Sequence, residues 1–431
     1  LFFGAFLGLA ILKFGNPVVL DHRIEVPGSF SEGLSQPWPL RWAFPLLLLV
    51  SVVSLVFSRP ASRIRASGVP WPLLALPIAW IGWQILSAER TVDVSLSAVT
   101  VRQLAGCVAC FAVGFLVLSP WLRRGWFWAG LLLGFFFCLN RAAQQHLFEF
   151  RQDHQALVEG QATGWTNFAP GVLDRMRQDQ LVVLTNGVEI ANPAILDKMR
   201  RARVNGTLVY PNALAGLILL LLPAAATFLA AVTRPMKPLV RGSVLGLALF
   251  LGLGGLYWTG SKAGWLVALG VASVWMGTRP WSGRLKAGVL AVLLLGGLGL
   301  FGLRFSGYFA KGATSAAARM DYWRAALRNT QENPVFGSGP GTFQRPYSRL
   351  KPPEAEMARL VHNDFLEQAT DSGVPGFLFY TVWIVGTLVW LGRRWGRANA
   401  PAEPDTWIPS AVFFGLLGWF LHGFAEFGLY I

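Results

Sequence analysis

His362 and a scattered set of cations, Arg203, Lys262, Arg319 and Arg324, carry the chemical promise of this sequence. A neutral imidazole near pH 7 can take a proton from a hydroxyl. Arginines can neutralise a diphosphate without a metal ion, because the guanidinium fork matches phosphate oxygens. Together these groups suit attack by a sugar hydroxyl on an anomeric carbon whose leaving group is a lipid diphosphate. His362 lies in "RLVHNDFLEQATDSGVPGFLFY", Arg359 to Tyr380, where Glu356, Asp364, Glu367 and Asp371 crowd the start of an apolar run. The plainer reading of His362 is a helix-start residue at a membrane interface. Asp364 and Glu367 read as capping, solvated residues, and Asp371 as part of the turn into the helix.

The cations also have plain alternatives. Arg203 precedes an apolar run. In "RMDYWRAALRNTQ", Met320, Trp323, Leu327 and Gln331 recur at helical spacing and predict a narrow apolar stripe. Arg324 lies about 40° from Met320 on that wheel and borders the stripe, which predicts partial burial. Arg319 opens the same helix, and "GSGPGTF", Gly337 to Phe343, must end it. Lys262 follows the tight turn "TGSK" at a helix start, where the dipole disfavours a cation. A bound anion or a snorkelling anchor fits there equally. His422 and Glu426 stand at i, i+4 in the last apolar run, as a functional pair or a structural one.

Other chemistries find no support. His22, His146 and His154 complete the histidines, and none shows H-x-x-x-H spacing for zinc. There is no Asp-x-Asp pair; "EAE", Glu354 to Glu356, reads as a solvated helix face. The phosphate loop of nucleotide-driven pumps and the G-x-S-x-G elbow are both absent. Cys107, Cys110 and Cys138 fall inside apolar runs and read as buried small hydrophobes, "CVAC" included.

The elements that must position these groups are membrane helices. The chain has 431 residues, of which 54% are hydrophobic and 14% charged; soluble domains carry about 25% charged residues. Eleven apolar runs predict spans over Leu1–Phe14, Pro39–Ser58, Trp71–Ser87, Ser97–Leu118, Trp126–Leu139, Val209–Val232, Gly242–Trp258, Ala263–Gly277, Ala287–Leu303, Val374–Leu391 and Trp407–Tyr430. The first is short, which implies a chain beginning inside a helix, and a twelfth span is expected past Ile431. The net charge of +15 gathers in short loops rather than beside interleaved aromatics, so it implies topology and not nucleic acid. Those loops hold Arg59, Arg63, Arg65, Arg123, Arg124, Arg234, Lys237, Arg241, Arg279, Arg284, Lys286, Arg393, Arg394 and Arg397, with only Glu403 and Asp405 acidic. They read as cytoplasmic. The predicted organisation is N-terminal spans over 1–139, a first long outer loop over 140–208, central spans over 209–303, a second long outer loop over 304–373, and C-terminal spans over 374–431. Both loops exceed ordinary connections and contain short helical patterns.

At this point the motifs resemble the O-antigen ligase and O-antigen polymerase superfamily of bacterial inner-membrane glycan transferases. "HNDFLEQATDSGVPGFLFY" resembles its H-N-x-x-L stretch, with Asp371 where the family usually has Glu; it marks His362 and Asn363. "RMDYWRAALRNTQENPVFGSGPGTF" resembles its Arg, Trp, helix, Pro and Gly-x-Gly run and points to Arg319 first and Arg324 second. "RVNGTLVYPNALAG" marks Arg203 and Asn212. "TGSKAGWL" resembles a Ser-Arg-Gly turn with Lys262 in place of Arg, which keeps charge and loses the fork. "HGFAEFGLYI" resembles a closing His-x-x-x-Asp-Phe motif, marking His422 and, in place of Asp, Glu426. The likeness covers roughly Arg203 to Ile431, about half the chain.

The resemblance implies an all-α, GT-C-like polytopic protein of the bacterial inner membrane with its active site toward the periplasm. It implies a metal-independent transferase without cofactor, moving a glycan from undecaprenyl diphosphate to a lipid A core sugar or another glycan acceptor. A polymerase or a protein O-oligosaccharyltransferase belongs to the same superfamily. The rival class is a transporter or flippase of lipid-linked sugars or small anions; no inverted repeat supports it. The expected partners are the lipid-linked donor, the acceptor and membrane lipids, with His362 as base and Arg203, Arg319, Arg324 and Lys262 on the diphosphate.

Overall fold

Lipid offers the backbone no hydrogen-bond partner, so long apolar runs close their own bonds as helices. The computed structural model describes residues 1–56, 68–118, 125–310, 314–398 and 407–431. Among these, 7 helices are long and apolar enough to cross a bilayer: Trp71–Ala88, Val94–Leu116, Gly125–Ala162, Pro211–Val232, Pro238–Thr259, Gly283–Ala310 and Asp364–Arg394. Shorter apolar helices, Phe2–Lys13, Leu40–Val56, Lys262–Gly277 and Ile408–His422, complete the bundle. The protein is all-α in its bundle and polytopic, as the sequence implies. Arg59, Arg63, Arg65, Arg123, Arg124, Glu403 and Asp405 of the basic-loop reading lie outside the described residues.

Small residues set the closest helix contact. Helix Phe2–Lys13 lies on helix Gly125–Gln144 through Gly4, Gly8, Gly130 and Gly134. A Cβ on Gly130 would stand 2.7 Å from the Ala5 nitrogen, so only glycine permits this approach. Elsewhere a polar seam joins two helices. Trp80 Nε1 and Gln84 Nε2 donate to Gln368 Oε1 at 2.8 and 2.9 Å, and all three residues are fully buried.

Helix Asp364–Ala398 breaks at Ser372 and Gly373, where φ reaches +70° at the glycine. The break falls just before Val374, where the sequence reading begins its span. The final run departs from expectation. Its helix, Trp407–His422, ends at the histidine, and Gly423 to Tyr430 fold back over the bundle end. Asp364 N donates to Gly423 O at 2.8 Å, Leu429 N to Asp364 Oδ1 at 3.2 Å, and Tyr430 Oη to Asp371 Oδ2 at 3.0 Å. His422 and Glu426 thus do not share a helix face. Two glycines, Gly423 and Gly428, and a polar anchor in the helix Asp364–Ala398 outweigh the apolar composition.

Residues 150–201 build a small body of helices Phe150–Ala162, Pro170–Gln178 and Pro193–Arg201 around Leu157, Trp165, Met176, Val182 and Ala191. It also contains an antiparallel hairpin, Val182–Thr185 with Val188–Ala191, beyond the helices expected there. Asn186 and Gly187 take φ of +52° and +78°, a two-residue turn whose twist matches the strands.

On helix Thr314–Glu332 the buried residues are Tyr322, Ala325, Ala326 and Asn329. The expected stripe of Met320, Trp323, Leu327 and Gln331 is not the packed one: Met320 and Leu327 are exposed. Both sets have helical spacing. The alanines permit close packing, and size alone pointed to the other face.

Candidate functional site

Several helix ends meet where the chain folds back. Gly260, in the left-handed region at φ +59°, turns the chain between helices Pro238–Thr259 and Lys262–Gly277. That turn presents the Thr259 carbonyl to Arg203, whose Nε donates at 2.7 Å. Pro211 opens the next helix, its missing N–H harmless in a first turn. Asn212 follows it and accepts from Arg203 Nη2 at 2.9 Å. Asn212 Nδ2 donates to Glu426 Oε1 at 2.6 Å. Arg319 forms an ion pair with the same oxygen of Glu426. His362 Nδ1 stands 3.2 Å from the other, Oε2. Arg203, Asn212, Glu426, Arg319 and His362 form one continuous polar chain.

His362 is held in an uncommon backbone state. Its φ is +57°, which costs a non-glycine residue about 1–2 kcal/mol. The next residue anchors it: Asn363 Oδ1 accepts from Phe365 N at 3.0 Å and Leu366 N at 3.1 Å, an N-cap. The half-exposed imidazole lies between two rings, Tyr322 at 5.9 Å and 28° and Phe427 at 4.7 Å and 75°. A carboxylate can only accept, so Glu426 selects the tautomer with its proton on Nδ1. Nε2 then carries a free lone pair.

Burial would raise the Glu426 carboxyl, but the His362 hydrogen bond and the Arg319 charge outweigh it, and the group stays below the usual glutamate range. Burial lowers Arg203, which remains a cation because guanidinium pKa values start so high. Lys262 points its ammonium over the Tyr308 ring at 3.9 Å and the Phe305 ring at 5.3 Å. Its cation–π partners come from helix Gly283–Ala310. It also feels the charges of Arg203 and Arg319.

The remaining expected residues fall elsewhere. Arg324 is 74% exposed in its side chain and pairs with Asp321 at 3.3 Å, one turn on from Arg319 and outside the polar chain. Its predicted burial fails because it borders the face that does not pack. His422 is buried where its helix ends; a Cβ on Gly216 would come 3.0 Å from its Nδ1. Asp364 and Glu367 are not solvated but buried, and Asp371, in the turn, is buried too. Asp371 Oδ2 accepts from Gly341 N at 2.6 Å, fastening the Gly-rich turn after the arginine helix to the helix that follows His362.

Three contributors were not read from the sequence. Tyr322 and Phe427 bracket His362; their only signals were a tyrosine beside Arg319 and an aromatic after Glu426. Gln145, in a wide turn before helix Phe150–Ala162, accepts from Asn205 N and Gly206 N at 3.1 and 2.9 Å. It steadies the loop that carries Arg203, and nothing in its neighbourhood flags it.

Beside this chain lies a cavity of about 520 Å³. Tyr210, Asn212 and Glu426 line its polar part, and Phe6, Leu47 and Leu217 are among its apolar walls.

The fold and site define a multi-pass membrane protein with a histidine–carboxylate pair and guanidinium groups gathered at one end of a helical bundle. Residues 247–381 match the family model described as O-antigen ligase; this similarity supports a likeness to the O-antigen ligase and polymerase superfamily and to glycan-transferring enzymes of that kind. The match spans Lys262, Arg319, Arg324, His362 and Asn363; Arg203, Asn212, His422 and Glu426 lie outside it. No curated protein matches the chain.

Proposed function

We propose that the protein transfers a glycan from a lipid diphosphate, undecaprenyl diphosphate in a bacterial inner membrane, to an acceptor hydroxyl on the periplasmic side. A lipid A core sugar is the acceptor that fits an O-antigen ligase. The observation that carries this reading is the bonded chain from Arg203 through Asn212 and Glu426 to Arg319 and His362.

In this reaction Nε2 of His362 takes the proton of the acceptor hydroxyl. The hydroxyl oxygen bonds to the anomeric carbon as the bond from that carbon to the diphosphate oxygen breaks. The lipid diphosphate leaves with the bonding pair, and His362 passes its proton to water. Arg203, Arg319 and Lys262 contribute three positive charges and Glu426 one negative, a surplus of two that balances the two charges of a diphosphate diester. Arg324 is not in this set. The apolar cavity would take part of the donor's hydrocarbon chain.

The test is transfer by the purified protein. Supplied with a lipid-diphosphate glycan and a core-lipid acceptor, it should yield the glycosylated acceptor and free lipid diphosphate in equal amounts. Full transfer in excess EDTA is expected, and abolition there would overturn the role given to the cations. Donor consumption without any glycosylated acceptor would overturn the reading.

A further inference from the structure

Two buried acids stand between His362 and the Gly-rich turn, and the transfer chemistry does not use them. Glu367 and Asp371 are fully buried. They lie four residues apart in the helical stretch before the break at Ser372. Their side chains therefore share one face, with Cβ atoms about 5–6 Å apart. Each carboxyl has one oxygen engaged by a backbone N–H. Glu367 Oε2 accepts from Val361 N, just before His362. Asp371 Oδ2 accepts from Gly341 N at 2.6 Å and from Tyr430 Oη at 3.0 Å. The other two oxygens, Glu367 Oε1 and Asp371 Oδ1, are buried without a hydrogen-bond partner among the described residues. Neither acid pairs with a cation among those residues.

Two ionised carboxylates so placed would repel one another with no countercharge, and each would keep an unsatisfied oxygen inside the bundle. One proton held between Oε1 and Oδ1 removes both faults, because one carboxyl then donates to the other. We propose that Glu367 and Asp371 share a single proton and that the pair positions His362. A bonded chain then runs from Gly341 N through Asp371 and Glu367 to Val361 N. At one end His362 sits between two fixed points, Val361 N on Glu367 and the helix cap of Asn363. That clamp holds the left-handed backbone at φ +57°, a state a non-glycine residue keeps only when its surroundings impose it. At the other end, Gly341 lies in the turn that follows the helix of Arg319, and Gly339 N adds a bond to Asp371 O at 2.8 Å. The pair thereby sets the base against the arginine helix. Its part in transfer rests on the transferase reading; the shared proton does not.

The experiment joins infrared spectra of the purified protein to transfer kinetics. In Glu367→Gln the amide oxygen can accept from Val361 N and the amide N–H can donate to Asp371, as the neutral acid does. The wild type should show the C=O stretch of a protonated carboxylic acid, shifted in heavy water. One such band should be missing from Glu367→Gln and from Asp371→Asn. Glu367→Gln should transfer near the wild-type rate. Glu367→Leu leaves Val361 N unbonded and should lower kcat about 10- to 100-fold, with the donor KM unmoved. Spectra that keep every acid band in both amide variants overturn the shared proton. A folded Glu367→Leu protein at the wild-type rate overturns the positioning role, as does Glu367→Gln at the rate expected for the leucine variant. If Glu367→Leu does not fold, the two amide variants decide both points. A wild type that transfers nothing overturns the underlying reading instead, and the spectra still decide the proton.

Discussion

His362 Nδ1 lies 3.2 Å from Glu426 Oε2, although 64 positions separate them in the chain. The contact exists because the chain folds back after His422 instead of continuing its helix. It fixes the imidazole tautomer and leaves Nε2 with a free lone pair for the proposed role as base. Glu426→Gln keeps the shape and removes the charge, and an amide can donate to Nδ1 as readily as accept. The tautomer is then no longer enforced. We expect kcat to fall about 100-fold or more, with the donor KM changing less. Steady-state transfer kinetics check this.

The same carboxylate makes stability depend on pH. Glu426 is held below the ordinary glutamate range, so the folded state favours its ionised form. Its contribution is complete above the unfolded value, about pH 4.3, and disappears as pH falls through the lower folded value. Melting temperature in detergent should therefore drop on acidification, and the drop should be shallower in Glu426→Gln. Parallel curves would remove Glu426 from the cause.

Arg319→Ala leaves the buried Glu426 without its ion-pair partner. Breaking such a pair costs about 2–4 kcal/mol here, allowing for the partly open position of Arg319. Arg319→Lys restores charge without the fork. We expect a lower melting temperature and a large rise in donor KM for alanine, with lysine in between. Thermal unfolding and donor titration measure both.

Arg324→Ala should behave differently. The side chain is 74% exposed and, among the described residues, pairs only with Asp321 on its own helix. The change in stability should stay within about 0.5 kcal/mol. Donor KM should not move. A strong donor defect would return Arg324 to the diphosphate set.

Tyr430 ties the fold-back to the buried seam. It donates to Asp371 Oδ2 at 3.0 Å and accepts from Gln368 Nε2 at 2.9 Å. Tyr430→Phe leaves both partners short of a bond inside the bundle and should cost about 1–3 kcal/mol. The melting temperature reads this directly.

Much of this was legible in the sequence, and the limits are physical. Apolar runs gave the spans because lipid enforces helices. Short motifs marked His362, Arg203, Arg319, Asn212 and Glu426, each near a helix end that the structure brings to the same place. Arg324 misled because large side chains drew a stripe on the wrong face, while the packed face was made of Ala325, Ala326 and Asn329. Asp364 and Glu367 looked solvated because charge was weighed without Leu429 N and Val361 N, the partners that only tertiary folding supplies. The hairpin at Asn186–Gly187 carried a readable turn signal, masked by the helical setting. The fold-back was not readable: "HGFAEFGLYI" is apolar enough to continue a span.

The most direct measurement is transfer by His362→Ala in the purified, folded protein. Loss of the base should lower kcat by about 10²–10⁴, with the donor still bound by the arginines and its KM nearly unchanged. Transfer at the wild-type rate by a folded His362→Ala protein would contradict the role of His362 and the reaction built on it.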